Sequence, residues 1–322
     1  MLDDKVDLVM WTKNGEKFLP NVLKRIEEVI PLERVKQKIL IDDNSTDETS
    51  RIAKDFNWTV YKNPAGGIAS GVEEALRHVE CKYFISIEQD VLLAKNWWEK
   101  VPPFMNEKDV ACAQGIRVSI NPTLRLLEEY AIKERRITNV SIDNNIFKTD
   151  IVKALGKIPR GCPVCVDSAI MKQMIWKTSY KWVTIPQVVS LHLSRDNVLN
   201  YLRHYRRIAK MCKKTIYCTV GGVGFSKPMN PKFRNVIRVF ITSPLRGLQL
   251  AIKKQHAHIF WAYPATRLYA FPESIREWKK SMVIDDTLTK RLPTITLKFK
   301  QKNEALVFIW QREKNETNSA LS

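Results

Sequence analysis

Two strand-like runs in this chain end in acids. "KILIDDNSTDET" (38–49) leads three apolar residues into Asp42 and Asp43, and "KYFISIEQD" (82–90) closes on Glu88, Gln89 and Asp90. Adjacent carboxylates at a strand end repel one another unless a cation or hydrogen-bond donors lie between them. The chemistry they invite is therefore binding, either of a ligand rich in N–H and O–H groups or of a hard cation that prefers oxygen. Asp167 in "CPVCVDSAIMKQM" and His192 at the end of "VVSLH" are two further titratable groups. Further on, Arg203, Arg206 and Arg207 put three guanidinium forks on one short segment, suited to pairing phosphate oxygens two at a time. Each group also has a plainer role. Ser45 to Thr49 suits a helix N-cap, Asp167 an N-cap ahead of Ala169, Ile170 and Met174, Trp11 a core aromatic, and His192 a satisfied core or turn residue.

Something must hold these residues together, and the N-terminal half supplies it. "VDLVMWT", "QKILID", "WTVYKN" and "KYFISIEQD" read as strands, separated by helical periods in "EKFLPNVLKRIEEVIP", "DETSRIAKDF" and "IASGVEEALRHV". Strands spaced by helices of this length predict right-handed parallel crossovers and a doubly wound sheet. Ligands collect at the carboxyl ends of such strands, where Asn14, Asp43 and Asp90 fall. Beyond Asp90 the pattern loosens. "VLLAKNWWEKVPPFM" predicts a helix stopped by prolines, "DVACAQGIRV" a strand and "LRLLEEYAIKERRI" a helix. "DNNIFKTDIVKALGKIP" and "VDSAIMKQMIWKTSYKWVTIP" each predict a strand with a helix, and "NVLNYLRHYRRIAKM" a cationic amphipathic helix.

At 322 residues the chain has room for one large α/β domain with an appendage. Its net charge of +19 is unevenly placed: residues 1–194 hold 28 Lys/Arg against 26 Asp/Glu, whereas residues 195–322 hold 25 against 8. The two parts therefore face different partners. The acidic opening "MLDDKVDLVMWTKNG" predicts no secretory leader, and no run of about 18 uncharged apolar residues predicts a spanning helix. Cys162 and Cys165 lack a second pair at zinc spacing, because five residues separate Cys212 from Cys218, so buried thiols or a redox-sensitive pair are expected instead.

The segments "DLVMWTKNGEKFL", "ILIDDNSTDET", "GGIASGVEEAL" and "YFISIEQDV" resemble, in order and spacing, the family 2 glycosyltransferases with the GT-A fold. The likeness covers roughly residues 5–210, and its most specific piece is the acidic turn. It implies a Rossmann-like doubly wound mixed sheet, a nucleoside-diphosphate sugar donor, a divalent cation (Mg2+ or Mn2+) on the diphosphate, and inversion at the anomeric carbon. On this resemblance Trp11, Thr12, Asn14, Asp42, Asp43, Gly67, Glu88 and Arg203 are the donor-binding residues, with Asp43 accepting from base or ribose and Asp42 free to brace the turn. Glu88-Gln89-Asp90 stands for the family's Asp-any-Asp element, with Asp90 as metal ligand and Glu88 as a ribose contact or a brace behind the metal. His192 is a second metal ligand. Asp167 is the general base, standing where the family often has two adjacent acids. Arg206 and Arg207 would steady the departing diphosphate. Three departures matter: Glu rather than Asp at 88, Arg207 where processive members carry Trp, and no Arg-Asn in the "GGIASGVEEAL" loop. The second of these favours transfer of a single sugar.

Residues 233–271 mix aromatics and aliphatics with Arg and Lys, a composition that suits helices at an anionic membrane interface. Packing on the catalytic domain is the alternative, and nucleic acid is the least expected partner because no nucleic-acid module is recognisable. "LPTITLKFKQKNEALVFIW" predicts a terminal hairpin. The expectation is thus a GT-A catalytic domain over residues 1–212 and a basic helical and hairpin extension over 213–322. Together they would form a peripheral enzyme on the cytoplasmic face of a membrane, acting on a lipid-linked or glycan acceptor. A polyprenyl-phosphate sugar synthase and a catalytically degenerate scaffold are the alternative readings.

Overall fold

The computed structural model describes residues 4–134, 140–158, 166–211, 233–269, 293–302 and 305–313. Cys162, Cys165, Cys212 and Cys218 lie outside them. The first half alternates β1 (Val6–Thr12), α1 (Leu19–Val29), β2 (Val35–Asp42), α2 (Thr49–Asp55), β3 (Thr59–Lys62), α3 (Gly67–His78) and β4 (Tyr83–Ser86). There follow β5 (Val91–Leu92), α4 (Trp97–Lys100), β6 (Val110–Ser119), α5 (Pro122–Glu129), β7 (Asn145–Lys148), α6 (Thr149–Ala154), α7 (Val166–Lys177), β8 (Lys181–His192) and α8 (Val198–Met211). The last described elements are α9 (Phe233–Lys253), α10 (Ile259–Leu268), β9 (Ile295–Lys302) and β10 (Ala305–Arg312).

The strands form one mixed sheet ordered β3-β2-β1-β4-β7-β6-β8-β10-β9, with β5 paired to β8 off this path. Strands β1 to β4 run parallel, as the helical crossovers require, while β7 enters antiparallel between β4 and β6. Alternation along β1 sends Val6, Leu8 and Met10 to one face and Val9 and Trp11 to the other. The first face packs on Leu19, Val22, Leu23 and Ile26 of α1, spaced so as to share one side of the helix. The second packs on Val72 and Ala75 of α3 and on Ile170 and Met174 of α7. Truncating Leu23, 1% exposed, would cost roughly 2–5 kcal/mol through lost burial and the cavity left behind.

Two regions differ from the sequence expectation, and a third, the expected terminal hairpin, gains a partner strand. The helix expected over 91–105 is instead the two-residue β5, the single-turn α4 and a 3-10 turn over Pro102–Asn106. Pairing of Val91 with His192 and Leu92 with Leu191 captures the start of that segment, and adjacent prolines interrupt its end. The apolar runs expected as separate elements around "WVTIP" and "VVSLH" are the single strand β8. Its register against β6 jumps between Gly115↔Ile185 and Ile116↔Val189, so the extra residues bulge at Pro186, which has no N–H to give a ladder. Finally, the C-terminal hairpin is not separate from the catalytic sheet, because β10 pairs with β8 through Phe308↔Thr184, Ile309↔Val183 and Trp310↔Trp182. Strand β9 is then the edge, and exposed Lys298, Lys300 and Lys302 discourage further strand pairing there.

Candidate functional site

The acidic turn after β2 is braced by its own hydrogen bonds and by bonds from the segment that follows β1. Asp42 is 8% exposed and accepts from the Ser45 N–H at 3.2 and 3.3 Å. Asn14, held at φ 49°, donates its N–H to Ser45 Oγ at 2.9 Å and accepts from the Thr46 N–H at 2.9 Å through Oδ1. Both residues position the turn. Asp43 faces outward, within 3.6 Å of Lys13 Nζ, and accepts weakly from the Gly67 N–H at 3.2 and 3.3 Å. Gly66 and Gly67 have φ of 70° and 76°, a region that favours glycine, and a Cβ on Gly66 would press Asp43 Oδ1 at 3.3 Å. Thr12 Oγ1 donates to Gln89 Oε1, which also accepts from the Lys13 N–H at 2.8 Å, so Gln89 ties the end of β1 to the Glu88–Asp90 segment. Trp11 is only 7% exposed. It packs among Val9, Ile39, Ile41 and Val72, with its indole Nε1 buried and without a hydrogen-bond partner.

Sheet register assembles the second group. Ser86 of β4 pairs antiparallel with Asn145 of β7, and continuing that register two residues brings Glu88 toward Asp143. Arg117 of β6 stands between them, donating to Asp143 Oδ2 and, at 3.2 Å, to Glu88 Oε2. Its Nη2 also lies 4.0 Å from Asp167 Oδ2, at the first turn of α7. On the other side, the β5–β8 pairing places His192 Nδ1 3.5 Å from Asp90 Oδ2 and 3.1 Å from Ser194 Oγ. Glu88, Asp90 and His192 each turn one ligand atom inward, and these atoms lie within 4.8 Å of one another.

The electrostatics of this cluster suit a divalent cation. Burial, with the charge of Asp143 added, pushes the Glu88 carboxyl well up against the pull of Arg117, and burial raises Asp90 as well. Burial, helped by Arg195 and Arg117, holds His192 well below its ordinary value, which favours the neutral imidazole that a metal takes as ligand. Two carboxylates under pressure to protonate and one neutral imidazole form the donor set that Mn2+ or Mg2+ would relieve. Burial also raises Asp167, to about 6, against the opposing charge of Arg117. That value lets a carboxylate act as base near neutral pH.

The arginines of α8 differ from this group in exposure. Arg203, Arg206 and Arg207 are exposed; Arg206 lies over the Tyr269 ring at 5.4 Å, and Arg207 Nη2 is 3.4 Å from His204 Nδ1. Burial and the charges of Arg195, Arg207 and Arg117 lower His204 to about 4. Sequence reading missed Arg117, Asp143, Gln89, Lys13 and the buried pair of Arg195 Nη1 with Glu128 Oε1 at 3.0 Å. A lone arginine inside the apolar run "DVACAQGIRV" was the available signal, because a charge there must find a buried partner.

Residues 7–165 match the family model described as glycosyl transferase family 2. The fold is similar to that of the mannosyltransferase PcManGT from Pyrobaculum calidifontis, solved with GDP-Man and Mn2+. That comparison has a TM-score of 0.58 and 15% identity, and covers 87% of this chain and 89% of that one. Glucosyl-3-phosphoglycerate synthase from Mycobacterium tuberculosis, solved with Mn2+, UDP and glucosyl-3-phosphoglycerate, aligns more loosely. Its TM-score is 0.45 at 14% identity, over 62% of this chain and 75% of that one. No curated protein matches the chain. With its mixed sheet, acidic turn and strand-end acids, the segment over residues 7–165, just under half of the chain, is similar to glycosyl transferase family 2.

Proposed function

We propose that this chain transfers a single sugar, with inversion, from a nucleoside-diphosphate donor to a lipid-linked or glycan acceptor at the cytoplasmic face of a membrane. The observation that carries this reading is the meeting of Glu88, Asp90 and His192 within 4.8 Å, beside Arg117 and Asp167. Asp43 accepts from the donor's base or ribose next to the Gly67 backbone, and Asp42 and Asn14 keep it in place. Thr12 and Gln89 fix the distance between the base-binding and diphosphate-binding ends, while Trp11 supports the floor from beneath. Glu88, Asp90 and His192 would hold Mg2+ or Mn2+, whose charge answers that of the diphosphate as it departs. PcManGT, solved with GDP-Man and Mn2+, offers a precedent for such a pairing.

On the acceptor side, Asp167 takes the proton of the attacking hydroxyl. The acceptor oxygen bonds the anomeric carbon from the face opposite the diphosphate. The bond from that carbon to the diphosphate oxygen breaks, and its electron pair leaves with the nucleotide. Arg203, Arg206 and Arg207 extend from α8 and would meet the phosphate oxygens. We assign this chemistry to residues 1–212, with 213–322 as a basic extension whose hairpin widens the same sheet. Donor hydrolysis and transfer, measured with Mn2+ and again with a chelator, test the reading. Turnover that needs the metal and falls in Asp90→Asn supports it; undiminished turnover in the chelator would contradict it.

A further inference from the structure

Among the described residues, eleven large apolar side chains are exposed, and seven of them belong to α9 and α10. Scattered exposed apolars are ordinary, but a concentration on one surface is not. In α9 they recur at Ile241, Leu245, Leu248 and Ile252, in steps of four, three and four, which makes a single stripe along the helix. The buried residues Ser243, Gly247 and Leu250 step along the opposite side. That inner side is fully used. A Cβ on Gly247 would meet the Phe260 carbonyl at 2.7 Å, so α10 crosses α9 in direct contact. Leu250, Ile259, Ala262 and Tyr263 pack on Leu127 and Tyr130, and Lys253 and Lys254 bind Glu134 at 2.5 and 2.6 Å. The hairpin is therefore fastened to the catalytic domain by one side of α9 and presents an apolar stripe on the other, and Phe260 and Trp261 of α10 are exposed as well.

We infer that the α9–α10 hairpin is an interfacial anchor whose exposed stripe lies in the headgroup boundary of a bilayer rich in anionic lipid. Charge selects this occupant. Residues 197–272 carry fourteen Lys/Arg and not one Asp or Glu, which complements anionic headgroups and would oppose a second copy of the same face. Among the described residues no helix is long and apolar enough to cross a membrane, and Pro244 and Pro264 lie inside the two helices. An amphipathic pair lying in the interface fits these features, with the amphipathic ring of Trp261 at headgroup depth. The inference deepens the proposed function and rests on it only for where the acceptor would be met, because membrane binding itself requires no donor.

The test is flotation of the full chain with vesicles of phosphatidylcholine plus phosphatidylglycerol, and with phosphatidylcholine alone. Co-flotation with the anionic vesicles, weakened by salt, is expected. The double variant Ile241→Glu, Leu245→Glu should lower binding by at least about tenfold, since each buried aliphatic contributes on that scale, whereas Leu32→Glu, on another surface, should float like the wild type. Melting temperature and metal-dependent donor hydrolysis without vesicles should be the same in all three proteins. Failure of the wild type to float overturns the inference, as does a double variant that floats undiminished, or a wild-type dimer that the double variant splits. A chain that floats but never hydrolyses donor would overturn the catalytic reading and leave the anchor standing.

Discussion

Around the ends of β4, β6 and β8 charge is buried and answered. Arg117 meets Asp143 and Glu88, and Arg195 meets Glu128. On α9 and α10 the arrangement is reversed, for aliphatic and aromatic side chains stand in solvent and the inner surface carries the polar fastenings. The difference teaches where each region is vulnerable. A buried ion network fails when one member is lost, because the remaining charge cannot return to water. An exposed stripe contributes little to folding, so its residues are replaceable as far as stability is concerned.

That contrast can be broken by substitution at either place. Asp167→Asn should lower transfer by about 10²–10⁴-fold if the residue removes the acceptor's proton. The sign of the wild-type pH dependence follows from burial holding Asp167 at about 6: the carboxyl is protonated and idle below that pH, so the rate should climb through about pH 6 and level off above it. The Asn variant should lose that step. Asp90→Asn should reduce metal-dependent turnover by about 10²–10³-fold, in line with the loss of one group that stabilises developing charge. Arg117→Met should destabilise the fold by about 3–5 kcal/mol in chemical unfolding, because it leaves Asp143, at 0% exposure, without its cation. At the other extreme, Ile252→Glu on α9, where the native side chain is 71% exposed, should change stability by no more than about 0.5 kcal/mol. A large stability loss there would erase the distinction between the two regions.

What the sequence disclosed follows from how local each signal is. The alternation of β1 to β4 with α1 to α3 was legible because crossover helices leave a strong period, and Asp42, Asp43, Glu88 and Asp90 were legible because acids rarely end apolar strands. Arg117 and Asp143 were not recognised as partners. They are 26 residues apart, and only the strand order β4-β7-β6 brings them together. Nor was Gln89 recognised as the tie to Thr12, since it lies between two acids that draw attention away from it. The short β5 was misread as helix because "VLLAKNWWEK" has good helical propensity, while its capture by Leu191 and His192 depends on a strand a hundred residues away. Tertiary pairing overrode local preference there. The terminal hairpin was visible as alternation, but its partner strand was not, because nothing in "ALVFIW" specifies β8.

The most direct test of the central claim is calorimetric titration of the full chain with a nucleoside diphosphate, in the presence of Mn2+ and again in a chelator. If Glu88, Asp90 and His192 hold the cation that meets the diphosphate, binding will require Mn2+ and will vanish in Asp90→Asn. Equal affinity with and without the metal, or an unchanged affinity in that variant, would contradict the account.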